Sequence, residues 1–362
     1  NNLKKLNWVS NVITILDVPL LKNNDDPLSE RIKNFKTLSS KDVNKEKGFD
    51  EILNSPIYKD FVISKDGKTS GILVYIKSDK KLSNLIKIKK PDIIFHLAAK
   101  SLVSDGYHQP IETFKTNIIG SANVLNLLRS NKHISLVYVT SDKCYLNNNQ
   151  NLTFKEEDIL GGNDNYSASK AGAEIIFNSY FKSYFNQEKL RLASARAGNV
   201  IGGGDLKKNR IIPDIYKSIK SGKKLIIRNP QSIRPWQHVL EPLSGYLILG
   251  LKLLGRKFNK NVQPAWNFGP ENHNSKNVLN VAKKFLHFWN IKKRIVINKK
   301  SEFNESDYLK VNISKAKKQL NWRPKLNFDK SIKFTVDWYK IFNSKDIENF
   351  TNDQINEYNS IK

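Results

Sequence analysis

The sequence predicts a doubly wound α/β fold, a mainly parallel sheet with helices on both faces, and three observations carry that prediction. Short apolar runs alternate with longer amphipathic stretches along the middle of the chain. The runs are continuously apolar, the pattern of strands buried on both faces. A tyrosine and a lysine four residues apart open one of the helical stretches, a short way downstream of such a run.

The elements follow in order. Asp92–Ala99, preceded by Pro91, reads as a buried parallel strand, and Ile134–Ser141 as a second. Between them Pro110–Arg129 reads as a helix, with Phe114, Ile118, Val124, Leu125 and Leu128 on one face and no proline beyond its first turn. Strand, helix and strand make a βαβ unit. The alternation continues with a helix over Ser167–Phe185, a strand over Leu190–Ala197 running into a glycine cluster, and a helix over Ile211–Ser221 opened near Pro213. From Lys223 the pattern shortens to Leu225–Arg228, His238–Leu254 and Val278–Trp289, as in a smaller α/β lobe that binds substrate.

Composition excludes several classes. A chain of 362 residues with 39% hydrophobic and 10% aromatic content is globular rather than disordered. No apolar stretch is long enough to span a bilayer, Leu243–Leu254 being interrupted by Lys252. The one cysteine, Cys144, rules out an internal disulfide framework and fits a reducing, cytoplasmic compartment. Six scattered histidines suggest no metal site. The chain begins Asn1-Asn2-Leu3 and contains no methionine, which predicts a shortened start. The formal net charge of +27 comes from lysines scattered along the chain, so nucleic acid is not the expected partner; the field favours a small anionic substrate.

Tyr166-Ser-Ala-Ser-Lys170 sets the two side chains on one helix face, so that the ammonium is expected beside the phenol, lowering its pKa and making it a base. Upstream, Thr140-Ser-Asp-Lys-Cys-Tyr145 ends the second strand, and charged groups at the carboxyl end of such a strand fall in the ligand crevice.

With these motifs stand His96-Leu-Ala-Ala99, Leu160–Lys170, Ser194–Asp205, Arg228–Pro242 and Leu320-Asn-Trp-Arg-Pro-Lys325. Together they resemble the extended short-chain dehydrogenase/reductase family of sugar-nucleotide enzymes, within it the CDP-glucose 4,6-dehydratases, over about residues 79–345. The resemblance implies a Rossmann-like fold, NAD as cofactor, CDP-glucose as substrate, deoxysugar biosynthesis and a homodimer joined through Pro110–Arg129 and Ser167–Phe185. It implies Ser141, Asp142, Lys143, Tyr166 and Lys170 as catalytic residues, and Ala98, Ala99 and Asn117 with Tyr166 and Lys170 at the cofactor. Asn199, Arg228, Arg234 and His238 are implied at the substrate; His238, like Trp236, also admits a place in the core. Tyr166 would take the proton of the sugar 4-hydroxyl and Asp142 would protonate the departing 6-hydroxyl. The dTDP-sugar relatives carry an Asp-Glu pair where this chain has Asp142-Lys143, which leaves the C5 base open between Lys143 and another group.

The resemblance also implies a first strand and a glycine-rich turn before Asp79, and neither is legible. The only glycines ahead of Gly106 are Gly48, Gly67 and Gly71. Instead, Phe35–Val43 and Ile52–Thr69 resemble part of the porter domain of RND-type (MMPL-like) exporters, with Asp66-Gly67-Lys68 as a hairpin turn between Phe61–Ser64 and Thr69–Ile76. The expected organisation is therefore an unrelated segment over 1–78, joined near Ser78-Asp79 to a truncated NAD-binding domain over 79–222. A mainly substrate-binding lobe over 223–345 and a tail over 346–362 follow. Without the cradle for the pyrophosphate, impaired cofactor binding is expected, and an epimerase of the same family or an inert sugar-nucleotide-binding fragment are the alternatives.

Overall fold

The computed structural model describes residues 9–13, 15, 18, 20, 36–55, 73–76, 82–148, 152–185, 190–259, 261–271, 275–292, 295–298 and 308–361. They divide into two units, one of residues 1–89 with 345–353 and the other of 90–344 with 354–362.

The smaller unit carries strand β1 (Val9–Ile13) antiparallel to β2 (Leu73–Ile76), and the helices α1 (Lys45–Leu53) and α2 (Leu82–Lys89). Asn44 caps α1, its side chain accepting from the amides of Glu46 and Lys47. The core here is small: Val18, Leu20, Leu38, Val43 and Ile52. Gly48 lies inside it, where a Cβ would stand 2.7 Å from the Leu38 side chain. The expected strand Phe61–Ser64 and the Asp66-Gly67-Lys68 turn lie outside the described residues.

The larger unit is built on four parallel strands in the order β10-β5-β4-β3, namely Ala265–Phe268, Leu192–Ala197, Ser135–Val139 and Ile93–His96. Of these, β3, β4 and β5 are the strands read from the sequence, in register from Ile93 opposite Ser135 to Leu136 opposite Leu192, whereas β10 is not among those readings. Among the described residues β3 pairs with β4 alone, and β2 pairs with β1 in its own sheet.

Helices fill the connections. After β3 come α3 (Val103–His108) and a long helical run, α4, made of Pro110–Phe114, a wide turn Lys115–Ile119 and Gly120–Arg129. Proline at the first position of α4 needs no amide partner there. After β4 comes α5 (Asn165–Tyr180), capped by Asp164, whose carboxylate accepts from the Ser167 amide at 2.9 Å.

Beyond β5 the short strands β6 (Val200–Ile201) and β9 (Gln237–His238) pair in parallel, and β7 (Leu225–Ile227) pairs with β12 (Ile295–Ile297). Helices α6 (Ile211–Ser221), α8 (Val278–Trp289) and α9 (Phe328–Lys340) enclose a second core with Ile215, Leu225, Phe285 and Ile332 at its centre. The span 223–345, read from the sequence as a smaller lobe on the same sheet, supplies much of this second core. It returns helix α7 (Leu240–Leu254) and strand β10 to the sheet, since β10 completes the hydrogen bonding of β5. Helix α10 (Ile347–Ser360) closes the described chain.

Candidate active site

A cleft of about 380 Å³ opens at the carboxyl ends of β4 and β5. Its walls include Ser141, Asp142, Lys143, Tyr166, Asn199, Arg228 and Arg234. Seven of the site residues expected from the sequence are thus brought to one cavity.

The loop after β4 is shaped by its own side chains. Ser141 caps a single 3₁₀ turn over Asp142–Cys144, its hydroxyl accepting from the Lys143 amide at 3.2 Å and donating to Asp142 Oδ1 at 3.2 Å. Asp142 is almost wholly buried, and its Oδ2 has no hydrogen-bond partner among the described residues. Burial pushes its carboxyl above the ordinary range, against the opposing effects of the Lys143 charge, the Ser141 hydroxyl and the Arg234 charge.

Tyr166 stands in the first turn of α5, where Gly106 of α3 lets the two helices meet. A Cβ at Gly106 would lie 2.8 Å from the Tyr166 amide nitrogen, and Asn165 Nδ2 donates to the Gly106 carbonyl at 3.1 Å. The expected depression of the Tyr166 pKa is not found: burial pushes the phenol up to about 12, and the Ser141 hydroxyl and then Arg210 are what oppose it. Lys170, one turn on, is itself sealed in the interior and only 5% exposed. Its ammonium is brought down to about 8 by burial, with Cys144 and Glu174 pulling the other way.

Asn117 does not line the cleft but builds its floor. Its amide donates to the Lys100 carbonyl at 3.0 Å and to Ser169 Oγ at 2.8 Å, and its oxygen accepts from the Lys100 amide at 2.8 Å. It thereby ties the loop carrying Ala98 and Ala99 to the helix of Tyr166. Ala98 is exposed and Ala99 half-buried, both outside the cleft lining. His96 stacks on Tyr138 with ring centres 5.4 Å apart, and burial followed by the Lys170 charge brings it down to about 4.

His238 departs from its expected place at the substrate. It lies in the core, its ring edge-on to Phe334 at 5.5 Å and its Nδ1 accepting from the Leu240 amide at 3.4 Å, so the core reading holds. Burial lowers it to about 4. Trp236 serves both purposes, buried with its indole N–H donating to the Lys276 carbonyl at 2.8 Å and one edge on the cleft.

Sequence reasoning passed over Arg210. It pairs with Asp205 at 2.9 Å and donates to Ser101 Oγ at 2.9 Å, bridging two cleft-lining segments. The only local signal is its place just ahead of Pro213 at the start of α6. Arg228 reaches Asn209 Oδ1 at 3.3 Å and lies 4.0 Å from Asp214. The glycines of the loop after β5 are packed from behind: a Cβ at Gly203 would stand 2.0 Å from the Trp338 ring, and Gly204 has φ +82°.

Among the described residues no group of His, Cys, Asp and Glu is arranged to hold a metal, and no helix is long and apolar enough to cross a membrane.

A family profile described as GDP-mannose 4,6 dehydratase matches residues 57–335, reaching back past the Ser78-Asp79 join expected from the sequence. The chain is 42% identical over 273 residues to the CDP-glucose 4,6-dehydratase of Salmonella typhimurium, covering 73% of this chain and 75% of that one. It is 26% identical over 291 residues to the UDP-glucose 4-epimerase of Mycoplasma genitalium, covering 75% and 80%. Among solved structures, dTDP-glucose 4,6-dehydratase from Bacillus anthracis in complex with NAD aligns with a TM-score of 0.61 at 26% identity, over 75% of this chain and 78% of that one. UDP-glucose 4-epimerase from Thermotoga maritima reaches 0.64 at 18% identity, over 74% and 83%, a likeness of fold alone.

Proposed function

The chain belongs to the GDP-mannose 4,6 dehydratase family, and from that premise we propose that it is a lyase, a sugar-nucleotide 4,6-dehydratase acting on CDP-glucose with NAD as cofactor. The observation that carries this reading is the meeting of Tyr166, Asp142 and Lys143 in one cleft with Arg228 and Arg234. A phenol, a buried carboxyl and a lysine amino group share this cleft with two guanidiniums suited to a diphosphate.

The residues fit NAD at its nicotinamide–ribose end, where Tyr166, Lys170 and the loop held by Asn117 converge. At the pyrophosphate end no glycine-rich turn stands among the described residues. Gly48 is spent on a packing contact, and the other two glycines ahead of Gly106 stand singly rather than in a glycine-rich turn. We therefore propose that NAD binds weakly. When bound beside Tyr166 and Lys170, NAD would supply hydride-accepting and hydride-donating chemistry.

The protein's own groups manage the protons. Tyr166 takes the proton of the 4-hydroxyl, and the resulting ketone acidifies the hydrogen on C5. The C5 proton needs a base with a free lone pair, and Lys143, which lines the same cleft, is the group proposed for it in its neutral amine form. Asp142, whose protonated form burial favours, gives its proton to the 6-hydroxyl as water leaves. An epimerase has no need of an acid at C6, so this arrangement favours dehydration over the epimerase alternative.

Three further parts of the reading are proposals of the same kind. A homodimer through α4 and α5 is supported by exposed Ile111, Ile119 and Ile175 on those helices. A reducing, cytoplasmic setting is supported by the one free cysteine, Cys144, being buried. A separate, exporter-like origin for the segment ahead of residue 57, where the family profile begins, rests on the resemblance of Phe35–Val43.

Calorimetric titration of NAD and of CDP-glucose into the full chain tests the function. CDP-glucose binding with weak NAD binding is expected, together with release of a 4-keto-6-deoxy product at saturating NAD. Absence of CDP-glucose binding would overturn the proposal.

A further inference from the structure

We propose that Gly198 and Gln237 form the seat of the Asp142 carboxyl, acting as positioning residues that hold it in the orientation from which it meets the substrate. The chemical role of Asp142 rests on the dehydratase reading, whereas the seat rests on geometry.

Gly198 follows the last residue of β5, and Asp142 lies flat against its Cα. A Cβ there would stand 1.7 Å from Oδ2, 1.9 Å from Cγ and 2.2 Å from Oδ1. No side chain fits at 198 unless the carboxyl moves away. Asp142 has little freedom to do so, being short, almost wholly buried and bonded at Oδ1 to Ser141.

Gln237 holds the glycine in place from the other side. Its Nε2 donates to the Gly198 carbonyl at 3.2 Å and to the Phe268 carbonyl at 2.9 Å, joining the ends of β5 and β10. Both partners are carbonyl oxygens, so only the amide nitrogen can face them and the orientation of the side chain is fixed. The Gln237 amide also donates to the Asn199 carbonyl at 3.4 Å, continuing the pairing of β6 with β9. Asn199 itself takes a left-handed backbone, φ +48°, turning the chain sharply just after Gly198. The charged and polar groups that act on Asp142 are Lys143, Ser141 and Arg234, while Tyr166 and Tyr246 feel its charge in turn.

The test is a carbon-13 NMR titration of the full chain labelled at aspartate Cγ, the Asp142 signal being identified by its loss in Asp142→Asn. In the unsubstituted chain Asp142 should titrate above the other aspartates. Gly198→Ala should push the carboxyl into the hydrated cleft, and its midpoint should fall toward that of an ordinary carboxylate. Gln237→Met removes the donor that anchors Gly198 at similar volume, and should shift the midpoint in the same direction. An Asp142 midpoint that stays put in variants folded as judged by circular dichroism overturns the seat. If Gly198→Ala does not fold, Gln237→Met decides. CDP-glucose conversion followed on the unsubstituted sample separates the two ideas. Shifted midpoints in the variants without conversion remove the dehydratase reading and leave the seat, and unmoved midpoints remove the seat whatever the turnover.

Discussion

Glu174 and Arg196 meet at 2.8 Å with both side chains sealed from solvent, and they do so directly beneath the loop of the candidate active site. Glu174 also accepts from the Thr140 hydroxyl and, at 3.1 Å, from Ser194 Oγ. Arg196 donates to the Tyr145 hydroxyl and to the Glu156 carbonyl, both at 2.9 Å. The pair thus ties α5, β5 and both ends of the 140–145 loop together. Removing one partner strands the other charge in a dry interior. Glu174→Gln is expected to cost about 3–5 kcal/mol of stability in urea unfolding; a loss under about 1 kcal/mol would show that the pair is not bearing on the fold.

Tyr166→Phe deletes the phenol and leaves its ring. CDP-glucose should still bind in a calorimeter, while formation of reduced cofactor at saturating NAD disappears. Reduction persisting at the original rate would remove Tyr166 from its role.

Asp142→Asn keeps the shape of the side chain and removes its proton. C4 oxidation should continue, seen as reduced cofactor and solvent exchange at C5, but the 4-keto-6-deoxy product should fall by about a hundredfold or more. Product formation at the ordinary rate contradicts the assignment.

His238 predicts acid sensitivity. Its pKa is about 4 in the folded chain against an ordinary 6.5, so between those values the unfolded chain holds a proton that the folded chain does not. Stability therefore rises with pH across that window and is lost as pH falls through it, by about 3 kcal/mol for this one group. Thermal unfolding at a series of pH values should show a flatter acid limb in His238→Gln than in the parent; superimposable slopes would count against it.

Gly203→Ala places a methyl against the Trp338 ring, 2.0 Å away before any relaxation. The loop after β5 should be displaced, with about 1–3 kcal/mol of stability lost and a change in tryptophan fluorescence. Unaltered fluorescence and stability would mean that Trp338 moves aside freely.

Local spacing and apolar runs were enough to read the doubly wound sheet and the catalytic end of the cleft. The four-residue spacing of Tyr166 and Lys170 puts both on one helix face, and Asp142 follows a buried strand by simple succession. The motif residues Arg228 and Arg234 reached the cleft as well. What the sequence alone determined was therefore whatever depends on neighbours within a strand, a turn or a helix. Only the tertiary structure decided that Lys170 leaves the Tyr166 phenol high, that His238 turns into the core against Phe334, and that β10 returns to the sheet from beyond the second core. It alone set Asp142 on Gly198 and Glu174 against Arg196. Each of these joins residues far apart in the chain, and its outcome rests on strand register and on how completely water is excluded, neither of which is written in the spacing of residue types.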